Sequence, residues 1–202
     1  MSGAAQGDDV WVFGYGSLMW RPGFAFLEQR RALVRGWRRS LCIYSHIYRG
    51  TPERPGLVLG LDSGGSCYGV AFRVARSHWA ATLAYLRERE LVTSVYRERW
   101  VRLNLGGAEN ARGLTYVVDR RHPQYAGFLE RSRRLELVTG STGQAGANRD
   151  YVFNTVEHLA ALGIHDVELE WLAGQLRQPA NSGGGARSSI AARRSPGDSA
   201  SR

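Results

Sequence analysis

The chain has 202 residues, is 43% hydrophobic, and carries a formal charge of +9, with 27 basic residues, all of them arginine, against 18 acidic ones. Such a length and composition describe one folded domain with room for a core and exclude a low-complexity chain. No apolar run approaches the ~20 residues of a membrane-spanning helix, and Met1–Asp9 lacks the basic-then-apolar pattern of a secretory leader, so a cytoplasmic protein away from membranes is expected.

A basic protein favours nucleic acid or small acidic molecules. Part of the excess lies near the C-terminus, in Arg187, Arg193, Arg194 and Arg202 against Asp198. The remainder is less basic than the total, and a small-molecule ligand is expected rather than nucleic acid.

Residues 1–9 are small and polar and read as disordered. Val10–Phe13 is a first strand. Arg21-Pro22-Gly23 turns the chain. Ala32–Tyr44 is rich in β-formers, with Gly36 as a bulge or bend. Arg49–Gly56, with two prolines and two glycines, is a shaped loop. Leu57–Leu61 and Cys67–Val74 read as two strands joined by a hairpin at Asp62–Ser66. A helix from an N-cap at Ser77 to Glu90 follows. Arg97–Leu105 and Arg112–Val118 are strands around Gly106-Gly107. Gln124–Val138 reads as a helix and Thr139–Ala147 as a loop. Asn148 caps a helix to Leu162 that Gly163 ends, and Asp166 caps a last helix to about Leu176. From Pro179 the chain is rich in Gly, Ser, Ala and Arg and reads as a disordered tail. The folded unit is thus 10–178 and the tail 179–202. Strands without regular βαβ alternation, followed by helices, define an α+β domain.

Cys42 and Cys67 each sit in an apolar, strand-like run and read as buried free thiols. Neither they nor the five histidines have metal-ligand spacing, and no metal is expected.

Two features carry chemistry. The first is Val12–Trp20, a strand running into Gly14-Tyr15-Gly16-Ser17-Leu18-Met19. Its glycines allow close approach of a ligand to the main chain, and successive N–H groups in such a turn form a nest for an anion. The alternative is a tight turn after an edge strand. The turn is not a hydrolase elbow, because no glycine lies two residues after Ser17, and it is not a dinucleotide fingerprint.

The second feature is Glu90. Trp79, Leu83, Leu86 and Glu90 fall on one helical face, while Glu88 points away. A carboxyl on an apolar stripe loses hydration and its pKa rises, which suits it to take and return a proton. The alternative is that Glu90 emerges into solvent or pairs with Arg89 or Arg97.

Val12–Trp20, Arg49-Gly50-Thr51-Pro52-Glu53-Arg54-Pro55-Gly56, Cys67–Arg73, Arg89-Glu90 and Gly143–Tyr151 together resemble the ChaC-type γ-glutamylcyclotransferases, in the family's order. Departures are Tyr48 where a histidine is frequent, with His46 two residues earlier; Leu91–Val95 inserted before Tyr96; and Met19 in place of isoleucine. The resemblance implies a small mixed β-barrel-like sheet flanked by helices. It implies cleavage of glutathione to 5-oxoproline and Cys-Gly, without a cofactor. Glu90 would be the general acid/base, and Gly14–Met19 would bind the γ-glutamyl group. The Arg49–Gly56 loop would close over substrate, with Tyr96 and Tyr151 at the border. Arg49 or Arg73 would meet a carboxylate, or serve structural pairing. Two alternatives stay open: another γ-glutamyl amine as substrate, or a silent basic binding protein of the same fold.

Overall fold

Five strands close into one barrel in the computed structural model, which describes residues 8–178. They are β1 (Val10–Gly14), β2 (Glu28–Ser45), β3 (Gly56–Val74), β4 (Tyr96–Gly106) and β5 (Glu109–Val118). The expectations for Met1–Gly7 and for the tail 179–202 lie outside the described residues. Strand order is β1-β3-β2-β4-β5, antiparallel except where β1 meets β5 in parallel through Trp11↔Gly113 and Val12↔Leu114. Closure leaves no barrel edge open to pair with another chain. The mixed barrel-like sheet flanked by helices is therefore present.

Two strands differ from the sequence reading. Leu57–Leu61 and Cys67–Val74 are one continuous strand, β3, because Ser63 and Ser66 keep pairing with Trp37 and Arg35 of β2. Gly64 and Gly65, at φ +98° and +72°, supply an irregularity inside the ladder rather than a hairpin. Gly36, at φ +81°, sits at the matching register shift on β2, as expected for a bulge. Gly69 lets β1 and β3 approach closely: a Cβ there would lie 2.2 Å from the Gly14 carbonyl oxygen.

The barrel interior and the helices share one apolar core. Phe13, Leu57, Leu61, Phe72 and Leu103 are sealed from solvent, each contributing roughly 1.5–3 kcal/mol of burial. Cys42 and Cys67 are buried free thiols, as expected. Against this core pack α2 (Arg131–Gly140), α3 (Asn148–Ala161) and α4 (Val167–Arg177). No described helix is long and apolar enough to cross a membrane.

The helical expectation for Gln124–Val138 holds only in part. Pro123 and Gly127 (φ +67°) delay the helix to Arg131. Before it, Tyr125 bridges to Ile43 and the Ala126 N–H meets the Cys42 carbonyl at 2.8 Å. The Thr139–Ala147 loop contains a minimal hairpin, β6 (Thr142–Gly143) with β7 (Gly146–Ala147).

The caps also differ. Ser77 does not cap; residues Arg76–His78 form a 3-10 turn that leads into α1 (Trp79–Glu90). Asn148 is the first residue of α3, and its side chain is used elsewhere. Its Oδ1 accepts from the Leu57 N–H at 2.7 Å and its Nδ2 donates to the Leu57 carbonyl at 2.8 Å. Asp166 does cap α4, accepting from the Leu169 N–H at 3.2 Å, and Gly163 ends α3's C-terminal turn at φ +63°.

Candidate active site

At the end of β1 the chain turns out of the barrel through Tyr15 and Gly16 into a 3-10 turn, Ser17–Met19. The Met19 N–H returns to the Gly16 carbonyl at 2.9 Å, and the Arg21 N–H to the Ser17 carbonyl at 2.8 Å. The N–H groups of Gly16, Ser17 and Leu18 have no partner among the described residues. Such unsatisfied donors in sequence are what a nest for an anion requires. The turn is held from behind by Arg39, whose side chain is only 4% exposed. Its Nε donates to the Tyr15 carbonyl and its Nη2 to the Tyr68 carbonyl, each at 2.6 Å, and Nη1 pairs with Asp166 at 3.2 Å.

Glu90 is the last residue of α1. The helix lies with Leu86 sealed against Val12, Leu18, Val74 and Tyr116, and that packing carries Glu90 to the mouth of the turn. Its side chain is 17% exposed. Burial raises its carboxyl above the ordinary value of 4.5, and the Arg89 guanidinium draws it partly back. Arg89 is the ion partner, with Nε 3.1 Å from Oε1; Arg97 instead pairs with Asp119. Arg89 also ties α1 to the turn, donating to the Arg21 carbonyl at 2.5 Å and to the Ser17 hydroxyl at 3.0 Å. Glu88 is exposed on the opposite face.

Glu90 and the turn line the same small cavity, about 60 Å³, together with Leu59, Tyr96, Tyr116 and Tyr151. That space holds roughly four to six water-sized groups, the scale of an amino-acid head group. The tyrosines form a directed chain. Tyr15 lies beside Tyr96 in the lining, Tyr96 donates to the Leu59 carbonyl at 2.7 Å, and the Leu59 N–H donates to the Tyr151 hydroxyl at 3.2 Å. The Tyr151 proton is left to point elsewhere. Burial, reinforced by the neighbouring acidic groups, pushes Tyr15 and Tyr96 well above 10. It pushes Tyr151 to about 12, so all three stay neutral donors near pH 7.

The structure thus gathers Tyr15, Gly16, Ser17, Leu18, Glu90, Tyr96 and Tyr151 around one cavity. Gly14 and Met19 stand behind it. A Cβ on Gly14 would press on Leu18 at 3.0 Å, and Met19 is buried in the core. Arg49 stands outside the lining. It donates to the Ala145 carbonyl at 2.5 Å and sits over the Tyr151 ring at 5.3 Å, fastening the 49–56 loop to the β6–β7 hairpin. Arg73 is remote and pairs with Asp9 and Glu28. Leu59, Tyr116 and Arg39 were not singled out by the sequence. For Arg39 a signal exists: it shares the strand alternation of buried Leu41. Tyr116 lies in a run, Gly113–Val118, that is buried throughout, so alternation gives none.

A closed mixed five-strand barrel with helices packed on it is the γ-glutamylcyclotransferase-like class of fold. The crystal structure of a γ-glutamyl cyclotransferase specific to glutathione from yeast matches with a TM-score of 0.75 at 19% identity, covering 84% of this chain and 96% of that one; this likeness is one of fold. A family model described as ChaC-like protein matches residues 10–178, and the chain belongs to that family. Among relatives, a glutathione-specific γ-glutamylcyclotransferase of Escherichia coli is 34% identical over 157 residues, 78% of this chain and 68% of that protein. A human glutathione-specific γ-glutamylcyclotransferase 1 is 31% identical over 158 residues, 76% and 71% of the respective chains.

Proposed function

We propose that this protein is a γ-glutamylcyclotransferase that splits glutathione into 5-oxoproline and Cys-Gly, with residues 10–178 as the catalytic unit and the cytoplasm as its place of work. The observation that carries the reading is the shared cavity: one largely desolvated carboxyl, Glu90, lines it together with Gly16, Ser17 and Leu18, whose N–H groups have no partner among the described residues.

The reaction is internal to the γ-glutamyl group. Its α-amine attacks its own γ-carbonyl carbon, a C–N bond closes a five-membered ring, and the C–N bond to the cysteine nitrogen breaks. Glu90 takes a proton from the ammonium and returns it to the departing cysteine nitrogen; the ring nitrogen then gives up its second proton, so that a neutral lactam and a protonated Cys-Gly amine result. No water is consumed. Holding amine and carbonyl in attack geometry supplies several kcal/mol, up to about 10. A small cavity does this by leaving little room for extended conformers. The turn's N–H groups bind the α-carboxylate or the developing oxyanion, and the free Tyr151 hydroxyl proton is a further donor; one such donor contributes about 3 kcal/mol. Burial of Glu90 raises its proton affinity towards that of the amine with which it exchanges a proton.

The test is incubation with glutathione and measurement of 5-oxoproline and Cys-Gly in equal amounts. The Glu90→Gln variant should lose turnover by roughly 10²–10⁴-fold while keeping fold and ligand affinity. Full activity in that variant overturns the mechanism, and absence of 5-oxoproline with the native protein overturns the function.

A further inference from the structure

A row of arginines crosses the outside of the barrel. Arg102 of β4 stands directly opposite Arg112 of β5. On the other side of β4, the antiparallel pairs Leu33↔Asn104 and Val34↔Leu103 put Arg35 of β2 next in line. Arg31, four residues back along β2, points to the same side as Arg35. All four side chains are exposed.

Adjacent strands run about 4.8 Å apart, and like charges set opposite one another destabilise a sheet. Acids interspersed in the same sheet would relieve such a row. Here β2, β3, β4 and β5 carry one acid each, and all are engaged elsewhere. Glu28 and Glu109 pair with Arg30, Asp62 with Arg38 and Arg120, and Glu98 with Arg87. Arg31, Arg35, Arg102 and Arg112 have no ion pair among the described residues. A row of cations without counter-charge calls for an anion with several charges in line.

Two aromatic rings lie among these charges. Tyr68 of β3 stands opposite Leu33, and Trp100 is two residues from Arg102 on the same side of β4. They are 45% and 43% exposed. The Arg31 guanidinium lies over the Tyr68 ring at 4.4 Å and that of Arg112 over Trp100 at 5.7 Å. We propose that this face binds single-stranded nucleic acid with little sequence preference, phosphates meeting the arginines and bases stacking on Tyr68 and Trp100. Positive charge that tracks a backbone, combined with rings open to stacking, is the chemistry of single-strand binding. A lipid surface of acidic head groups would use the arginines and leave the rings without a role. The net charge, read from the sequence, favours a small-molecule ligand; the barrel adds an alignment that a sum of charges does not contain. The face shares no residue with the lining of the Glu90 cavity, so binding there is a function separate from turnover.

The experiment follows the fluorescence anisotropy of a labelled oligouridylate of about 20 nucleotides, titrated with the full chain between about 50 and 200 mM salt. Four neutralised phosphates predict a slope of log K against log salt of about −3. Arg102→Glu sets an acid opposite Arg112, a pairing that a sheet favours, and should weaken binding by about tenfold or more. Trp100→Thr keeps a β-forming residue on the strand and should also cost about tenfold. Arg133→Glu on α2 makes the same change of net charge as Arg102→Glu away from this face and should leave affinity within about twofold. Release of 5-oxoproline from glutathione should be the same in the native protein and all three variants. Absence of binding at the lowest salt, or an equal loss in Arg133→Glu and Arg102→Glu, overturns the proposal. So does native affinity in Trp100→Thr, which would leave only attraction between charges, and so does tighter binding to phosphatidylserine-containing vesicles than to the oligonucleotide.

Discussion

Arg39 Nε donates to the main-chain carbonyl of Tyr15 at 2.6 Å, so a buried guanidinium on β2 fixes the first residue of the turn that faces Glu90. The same side chain anchors the Tyr68 carbonyl and pairs with Asp166, the cap of α4. One residue therefore couples β1, β3 and the last helix at the back of the cavity.

Arg39→Lys keeps the charge but cannot reach all three acceptors with one ammonium. Stability should fall by about 2–4 kcal/mol for two lost charge-assisted bonds, measured by urea unfolding. With the turn loosened, KM for glutathione should rise more than kcat falls. An unchanged KM in a destabilised protein would show that Arg39 supports the fold without tuning the turn.

Much of this arrangement was legible in the sequence, and the limits have physical causes. The turn was visible because glycines flanking a tyrosine after a β-run restrict what the backbone does there. Glu90 was visible because helical periodicity is local. The joining of two expected strands into β3 was not, since Gly64 and Gly65 read locally as a turn and only the partner strand reveals the ladder. Leu59 and Tyr116 reach the cavity through barrel closure, a long-range event that no local pattern encodes, whereas strand alternation marks Arg39 as inward-facing without revealing that it holds the turn. Asn148 looked like a helix cap because Asn before a helix usually is one; here Leu57, 91 positions away, competes for the side chain and wins.

Glu90 predicts opposite pH trends for activity and stability. Its carboxyl must be ionised to accept the ammonium proton, so kcat/KM should fall as pH drops through its raised pKa. For stability, a carboxyl whose folded pKa lies above the unfolded one favours the folded state when protonated. That benefit is fully present below the ordinary value of 4.5 and is lost as pH rises through the folded pKa. Glu90→Gln removes the dependence. The variant should match the native protein at low pH and exceed it in stability at neutral pH, as seen in Tm measured across pH. A native protein that is the more stable of the two at pH 7 would contradict the desolvation account.

Tyr151→Phe tests the free donor. The variant keeps the ring under Arg49 but loses both the proton offered to the cavity and the acceptor for the Leu59 N–H. Turnover should drop by about 10²-fold or more if the hydroxyl donates to the developing oxyanion. Tyr96→Phe provides the comparison. The Tyr96 proton is already committed to the Leu59 carbonyl, so its loss should cost stability more than rate. Equal kinetic losses in the two variants would remove the distinction.

Asn148 offers the sharpest test of the scaffold. Its amide satisfies the Leu57 N–H and carbonyl as a neighbouring strand would, and the Ser141 hydroxyl, which donates to the Leu137 carbonyl at 2.7 Å, stands 3.3 Å from Oδ1. Asn148 and Leu57 are sealed from solvent, so Asn148→Ala strands two buried backbone groups and should cost about 2–5 kcal/mol. Asn148→Asp is more diagnostic because it preserves shape. As a carboxylate it still accepts from the Leu57 N–H, but its second oxygen faces the Leu57 carbonyl, acceptor against acceptor, in a site without water. Protonation turns that oxygen into a donor and restores the pair. The introduced carboxyl should therefore have a raised folded pKa, and the variant should regain stability on acidification while remaining far below the native protein at pH 7. Urea unfolding at pH 5 and pH 8 reads the difference. A variant equally stable at both values would mean that Asn148 only fills space, and that α3 is held to β3 by its apolar face alone.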